Sequence, residues 1–198
     1  MRALQAPGTS PRTADVVDAR AVVLVEGRSD QRALEALAAR RGRDLVAEGV
    51  SIVAMGGAQA IGHFLELFGP QGLDLRLAGL CDAAEEGDFR RGLERAGLGS
   101  DLSRTDMERL GFYVCVEDLE DELIRTLGAA AVDRVIDAQG ERGPFRTFQK
   151  QPAKRGQSYE EQLWRFMWNR KIRYAPLLVA ALDLTQVPRP LDRVLAHV

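Results

Sequence analysis

The sequence predicts an α/β fold in which about four mostly parallel strands are flanked by helices and followed by a helical C-terminal extension. Short runs of apolar, often β-branched residues alternate with amphipathic helical patterns up to about residue 127, and no strand pattern follows. The chain has 198 residues, of which 45% are hydrophobic and 28% charged, a composition typical of one globular domain with a small extension.

Four apolar runs are the predicted strands. The first, residues 21–25, is a continuous β-branched run of the kind found in strands buried on both faces. The others cover residues 50–54, 75–81 and 112–116. Short links to the intervening helical patterns, such as the one predicted over 85–96, imply right-handed crossovers and therefore a mostly parallel sheet. In the extension, a loop rich in Gly, Pro and Gln is predicted over residues 140–156.

Three regions are expected along the chain: a flexible N-terminal arm at 1–18, an α/β domain at 19–127, and a helical extension at 128–198. The two cysteines are too few for a disulfide framework, and no leader sequence opens the chain. No apolar run approaches the roughly 20 residues that a membrane helix needs. We therefore expect a cytoplasmic protein without a membrane contact.

The formal net charge of −2 hides a basic segment in the extension. Residues 141–175 carry 9 basic and 3 acidic side chains, whereas residues 1–140 carry 16 basic and 24 acidic ones. Basic side chains bind the phosphates of nucleic acid, which makes this segment the predicted binding surface. Its expected contacts are Arg146, Lys150, Arg155, Arg170 and Arg173. Two tryptophans lie among them: Trp164 is expected in the core, and Trp168 is left open between the core and base stacking.

Acidic residues follow three of the four predicted strands. Glu26 and Asp30 come after the first, Asp82 after the third, and Glu117, Asp118 and Glu120 after the fourth. The carboxyl ends of parallel strands meet at one edge of a sheet, so these acids are expected to lie close together. A single acid at a helix start is commonly only a cap. Several crowded carboxylates favour a site for Mg²⁺ or Mn²⁺, which prefer oxygen ligands.

Three motifs resemble the Toprim domain, and the closest similarity is to the Toprim half of the OLD (overcoming lysogenization defect) family nucleases. These motifs are Leu-Val-Glu-Gly-Arg-Ser-Asp at 24–30, Met-Gly-Gly at 55–57 and Leu-Cys-Asp at 80–82. The resemblance implies a Toprim, Rossmann-like fold and an endonuclease that cleaves DNA, in preference to RNA, with two metal ions. It implies metal ligands at Glu26, Asp30, Asp82, Asp118 and Glu120, with Glu117 in reserve.

The resemblance also implies a catalytic lysine in the extension. Lys171 begins the stretch Lys-Ile-Arg-Tyr-Ala-Pro-Leu-Leu that matches the family's lysine motif, and Lys150 is the alternative. Glu26, Asp82 and Lys171 are therefore the expected catalytic residues.

Two departures from the family pattern leave other interpretations open. Many Toprim sites have Asp-x-Asp after the third strand, but this chain has Asp82, Ala83 and Ala84, with Glu85 as a potential substitute. The chain is then either a nuclease or a weakened module that binds nucleic acid or a partner ATPase. A receiver-like domain with Asp82 as phospho-acceptor is a weaker alternative. Because the printed sequence has no G-x-x-x-x-G-K-[ST] motif, an ATPase or helicase is expected to act in trans, and a homodimer is left open.

Overall fold

The computed structural model describes residues 18–198, so the predicted arm at 1–18 lies, except for Asp18, outside the described residues. Four strands form one sheet: β1 (Ala21–Val25), β2 (Val50–Ala54), β3 (Arg76–Cys81) and β4 (Phe112–Val114). Their order is β2-β1-β3-β4, and all three strand pairs are parallel. The predicted fold class is confirmed.

Helices connect the strands and build the extension. Between strands lie α1 (Arg28–Arg40), α2 (Ile61–Phe68), α3 (Glu86–Arg95) and α4 (Arg104–Arg109). After β4 come α5 (Leu119–Leu127), α6 (Ala129–Ala138), α7 (Arg142–Gln149), α8 (Tyr159–Met167), α9 (Lys171–Ala181) and α10 (Arg189–His197). No helix among residues 18–198 is long and apolar enough to cross a membrane.

The sheet is covered on both faces, which explains why β1 is apolar at every position. Val23 and Val25 pack into a core with α1 and the helices of the extension, whereas Val22 and Leu24 pack into a second core with α2 and α3. Successive strand side chains point to opposite faces, so both faces need apolar residues. The ends of β1, β3 and β4 are thereby fixed beside one another.

Strand β4 is shorter than predicted. The expected strand reached Val116, but the sheet ends at Val114, although the amide of Cys115 still donates to the carbonyl of Cys81 at 2.9 Å. The amide of Val116 donates instead to the Glu122 carboxylate at 2.8 Å, and the Val116 side chain is exposed. This side-chain acceptor turns the chain out of the sheet and into α5.

The extension packs against the sheet rather than standing apart. Arg40 at the end of α1 donates to the carbonyls of Val179 and Leu182 at 2.7 and 2.8 Å, which satisfies the C-terminal end of α9. Tyr174 and Leu178 of α9 are fully buried in the core shared with α1. This packing carries the start of α9 to the carboxyl edge of the sheet.

The loop predicted over 140–156 contains a helix, so that prediction is wrong over α7. Gly143 and Pro144 suggested a loop. Pro144 lies in the first helical turn, however, where a backbone amide would have no partner within the helix, so its missing N–H costs nothing. Phe145 and Phe148 pack against Phe166, with ring centroids 5.0 and 5.7 Å apart. The burial of these rings stabilises the helix.

Candidate metal centre

Glu26 is held at the carboxyl edge of the sheet by the turn that follows β2. The amides of Gly56 and Gly57 donate to the backbone carbonyl of Glu26 at 2.9 and 3.2 Å. Both glycines have positive φ, 80° and 137°, a conformation that glycine adopts without steric cost. The Met-Gly-Gly turn therefore fixes the backbone from which the Glu26 carboxylate projects.

Asp82 and Glu85 complete a cluster of three acids with Glu26. Asp82 follows β3, and the 3-10 turn Ala83–Glu85 returns the chain so that Glu85 faces the same space. One carboxylate oxygen from each of the three residues lies within 4.8 Å of the others. The Oε2 atoms of Glu26 and Glu85 are buried and have no hydrogen-bond partner. Unpartnered carboxylate oxygens that converge in this way suit a hard divalent cation.

The electrostatics of the cluster favour a bound cation. Burial raises the pKa of Asp82 to about 8, with further increases from Asp30, Asp118 and Glu26. Burial likewise raises the pKa of Glu26, which Glu85 and Asp30 raise further. Asp82 therefore holds a proton at neutral pH unless a bound cation replaces it.

A second group of charges lies beside this cluster, where α5 meets α9. The Lys171 ammonium is 2.7 Å from Oε2 of Glu120 and 3.3 Å from Oδ2 of Asp118. Glu120 is almost fully buried, and its Oε1 has no hydrogen-bond partner. Burial raises the pKa of Glu120 to about 7 although Lys171 acts in the opposite direction. Its Oε1 atom is thus available to coordinate a cation.

Asp118 is fixed by contacts that the sequence analysis did not foresee. Its Oδ1 accepts from the Asp121 amide at 2.8 Å and so caps α5, while its Oδ2 accepts from the indole N–H of Trp164 at 2.7 Å. Trp164, which was expected in the core, is half-buried against it and also acts as a hydrogen-bond donor. The two contacts orient the carboxylate toward Lys171.

Asp30 and Glu117 are less involved than the acids above. The Asp30 carboxylate accepts from the Gly27 amide at 2.8 Å, the contact of an N-terminal cap, and burial raises its pKa. It lies outside the three-acid cluster but is electrostatically coupled to Glu26 and Asp82. The side chain of Glu117 is exposed, and its carbonyl accepts from the Ala83 amide at 2.9 Å.

The two lysine candidates have different surroundings. Lys171 is half-buried. Its positive charge partly offsets the burial that raises the pKa values of Glu26, Asp30 and Asp82. Lys150 is exposed at the end of α7 and forms no ion pair with any part of the chain that the structure describes. Lys171 is therefore the lysine that lies among the acids.

The basic residues of the extension fall into two groups. Arg146, Lys150 and Arg155 are exposed and form no ion pair within residues 18–198. Arg170 and Arg173 share the Glu141 carboxylate at 3.4 and 2.5 Å. The first group is free to contact a ligand, and the second is held in place.

A cleft of about 500 Å³ opens onto the acids. Its lining includes the acids Asp82, Glu85 and Asp118 and the aromatic residues Trp164 and Trp168; we call it the acidic cleft. It is wide enough to admit a nucleotide-sized ligand to the carboxylates.

Comparisons with known proteins agree with the motifs. Residues 19–83 match the family described as overcoming lysogenization defect protein-like, TOPRIM domain. No curated protein matches the chain.

Solved structures share the fold over most of the chain. The C-terminal region of the Xanthomonas campestris pv. campestris OLD protein is 23% identical, with a TM-score of 0.73 over 92% of this chain and 93% of that one. The C-terminal region of the Burkholderia pseudomallei OLD protein is 20% identical, with a TM-score of 0.70 over 90% and 96% of the two chains. The resemblance stated from the motifs is confirmed.

Proposed function

We propose that this chain, which carries an OLD-like Toprim domain, is an endonuclease that hydrolyses phosphodiester bonds of nucleic acid with bound Mg²⁺ or Mn²⁺. The observation that carries the proposal is the convergence of Glu26, Asp82 and Glu85, two of which have buried oxygens without a partner. These residues would hold one ion. Glu120 and Asp118 would hold a second, since Oε1 of Glu120 is also buried and unpartnered.

Divalent ions at such a site supply activated water and neutralise charge on the reacting phosphate. The side chains of the protein would position the reacting phosphate and stabilise its charge. Lys171, held between Glu120 and Asp118, places a positive charge beside the reacting phosphate without reorganising in the transition state. Burial lowers the pKa of Lys171, but the carboxylates of Glu120 and Asp118 outweigh that effect and raise the pKa to about 12, so the ammonium stays charged at neutral pH.

The basic segment would supply affinity for the substrate. Arg146, Lys150 and Arg155 are exposed, so each can contact a backbone phosphate and make binding salt-dependent. DNA as the substrate in preference to RNA, and an ATPase or helicase acting in trans, are parts of the proposal that rest on the family resemblance.

Cleavage assays test the proposal directly. Purified protein is incubated with supercoiled and single-stranded DNA, and with RNA of the same sequence, in Mg²⁺ or Mn²⁺. We expect the protein to nick DNA, and we expect Glu26→Gln and Asp82→Asn to abolish this activity. The control Glu66→Gln removes an exposed negative charge on α2 and should leave the activity unchanged. Equal activity in all variants would reveal a contaminant and contradict the proposal.

The second candidate function is a weakened Toprim module that binds nucleic acid or an ATPase without cutting. Ala84 favours it, because it stands where many Toprim sites have a second aspartate. The turn after β3 then provides only Asp82 and Glu85 as acids of the cluster. Binding of DNA without cleavage in either metal would support this candidate. Loss of cleavage in Lys171→Gln but not in Lys150→Gln would instead support the nuclease and identify its lysine.

A further inference from the structure

A second cavity, of about 600 Å³, shares the lining residue Trp168 with the acidic cleft. We call it the basic pocket, because four of its lining residues are cationic and none is acidic. Its charged lining consists of Arg28, Arg170, Lys171 and Arg173. The Lys171 ammonium is already paired with Glu120 and Asp118, so the positive charge that would attract an anionic ligand comes from the arginines.

The pocket combines one free cation with two that are held in position. Arg28 is exposed and has no ion pair within the described part of the chain. Arg170 and Arg173 share one carboxylate, that of Glu141, so a positive charge remains on this wall. Arg170 also donates to the Phe166 carbonyl at 2.8 Å, which fixes its guanidinium. The wall is therefore charged and ordered before a ligand arrives.

The first turn of α1 adds backbone donors to the same pocket. Arg28 and Ser29 open this 13-residue helix, and both line the cavity. The first amides of a helix have no partner within the helix, and they donate hydrogen bonds to anions readily. Gly27, the N-cap residue, has no side chain that could cap them.

Two residues connect the basic pocket with the metal centre. Trp168 lines both cavities, and Lys171 lines the basic pocket while its ammonium contacts Glu120 and Asp118. The Trp168 ring is half exposed, and the Lys171 ammonium lies 4.4 Å from its centroid. Ile172, also exposed, borders the same pocket. The Trp164 ring packs against Trp168 with centroids 4.7 Å apart, and the part of the Trp168 ring that stays exposed suits a nucleobase.

We propose that the basic pocket binds a backbone phosphate that flanks the scissile one, and that an adjacent unpaired base stacks on Trp168. The substrate class is then single-stranded nucleic acid, because the base faces of a duplex are already stacked on their neighbours. This proposal rests on the nuclease function proposed for the acidic centre, which would receive the scissile phosphate.

The experiment measures binding without divalent metal, so that it does not depend on cleavage. Fluorescence anisotropy compares a fluorescein-labelled oligothymidylate of about 20 nucleotides, longer than most single-strand site sizes, with its duplex. We expect Arg28→Gln to weaken single-strand binding several-fold and to reduce the salt dependence by about 0.7 in log–log slope. The matched control is Arg109→Gln, an exposed arginine of α4 outside both cavities.

Trp168 variants test the stacking component separately. Trp168→Leu keeps an apolar side chain but removes the ring, and we expect about tenfold weaker single-strand binding with an unchanged salt slope. Trp168→Phe retains a ring and is expected to keep most of the affinity, which a loss of folding would not allow. Equal affinity for single strand and duplex, or equal effects of Arg28→Gln and Arg109→Gln, would overturn the proposal.

Failure of the subsite and failure of the nuclease function give different results. Cleavage that needs Glu26 and Asp82 but does not respond to Arg28→Gln or Trp168→Leu would refute the subsite alone. Selective single-strand binding that responds to both variants, without cleavage in Mg²⁺ or Mn²⁺, would support the subsite and refute the nuclease.

Discussion

Replacing Asp82 by Asn is expected to stabilise the metal-free protein. On folding, the pKa of Asp82 rises from 3.8 to about 8, mainly through burial. Below pH 3.8 the carboxyl is protonated in both states and has no net effect. As pH rises, the unfolded chain loses the proton first, so stability falls progressively until the folded carboxyl also ionises near pH 8. Asparagine removes this penalty.

The magnitude follows from the two pKa values. Each tenfold change in proton affinity corresponds to about 1.4 kcal/mol, so a neutral Asp82 in the fold has an upper-bound penalty of about 4 kcal/mol at pH 7. Asp82 is half-buried, and solvent screening reduces this to about 2 kcal/mol. For a chain of this length, that is an increase in Tm of about 4–8 °C.

Thermal unfolding followed by circular dichroism in EDTA measures the effect. Asp82→Asn should raise Tm at pH 7 and flatten its decline between about pH 4 and pH 8, whereas Glu66→Gln, on an exposed helix face, should do neither. Mg²⁺ should stabilise the wild type and not Asp82→Asn. A metal-free Asp82→Asn protein that melts at or below the wild-type temperature would refute the electrostatic account of this site.

Three further predictions concern the metal and the lysine. Glu85→Gln should weaken Mn²⁺ binding at least tenfold in calorimetry, because one of three converging oxygen ligands is weakened; unchanged affinity would remove Glu85 from the site. Metal affinity should fall about tenfold per pH unit below about pH 8, because Asp82 must lose its proton before it binds the metal. Calorimetry in buffers of different ionisation enthalpy should detect the released proton. A metal affinity that stays constant between pH 6 and 8 would contradict this prediction. Lys171→Met should lower the rate of hydrolysis about a hundredfold. It should also strengthen metal binding, because Asp118 and Glu120 lose a competing cation. Loss of both hydrolysis and metal binding would indicate that Lys171 has a structural role.

The sheet could be predicted from the sequence because its signal is local. Strands β1 and β2 end where their apolar runs end, at Val25 and Ala54. The end of β4 could not be predicted, since Val116 continues the apolar run and only the Glu122 carboxylate, brought close by α5, takes its amide. Helix α7 was missed for a similar reason, because its stability comes from Phe145 packing against a ring of α8.

The candidate site was predictable to the extent that strand ends place it. Glu26 and Asp82 converge because β1 and β3 are paired and parallel, whatever the details of their side chains. The position of Glu85 depends on the 3-10 turn after Asp82, and local sequence signals do not distinguish that turn from a helix start. The placement of Lys171 came from the motif resemblance, because its contact with Glu120 spans 51 residues of chain.

The basic pocket could not be seen in the sequence at all. Arg28 precedes Arg173 by 145 residues, and only the packing of α9 along α1 brings them to one cavity. Within the first Toprim motif, Glu26 and Asp30 indicate a metal site by their residue type alone, because carboxylates bind divalent ions. The role proposed for Arg28, which lies between them in the sequence, depends on the residues of α9 that line the same pocket.

The charge balance of the centre determines the order in which ligands can bind. Glu26, Asp30, Asp82, Glu85, Asp118 and Glu120 are six carboxyls near one ammonium, Lys171, so full ionisation leaves a charge of −5. With pKa values of about 8 and 7, Asp82 and Glu120 retain protons near neutral pH and reduce this charge, but the centre still repels a phosphate. Two divalent ions in place of those protons would leave about −1, which a nucleic-acid strand can approach. For the proposed nuclease we therefore expect metal binding to precede entry of the scissile phosphate, whereas the proposed flanking phosphate would bind in the basic pocket without any metal.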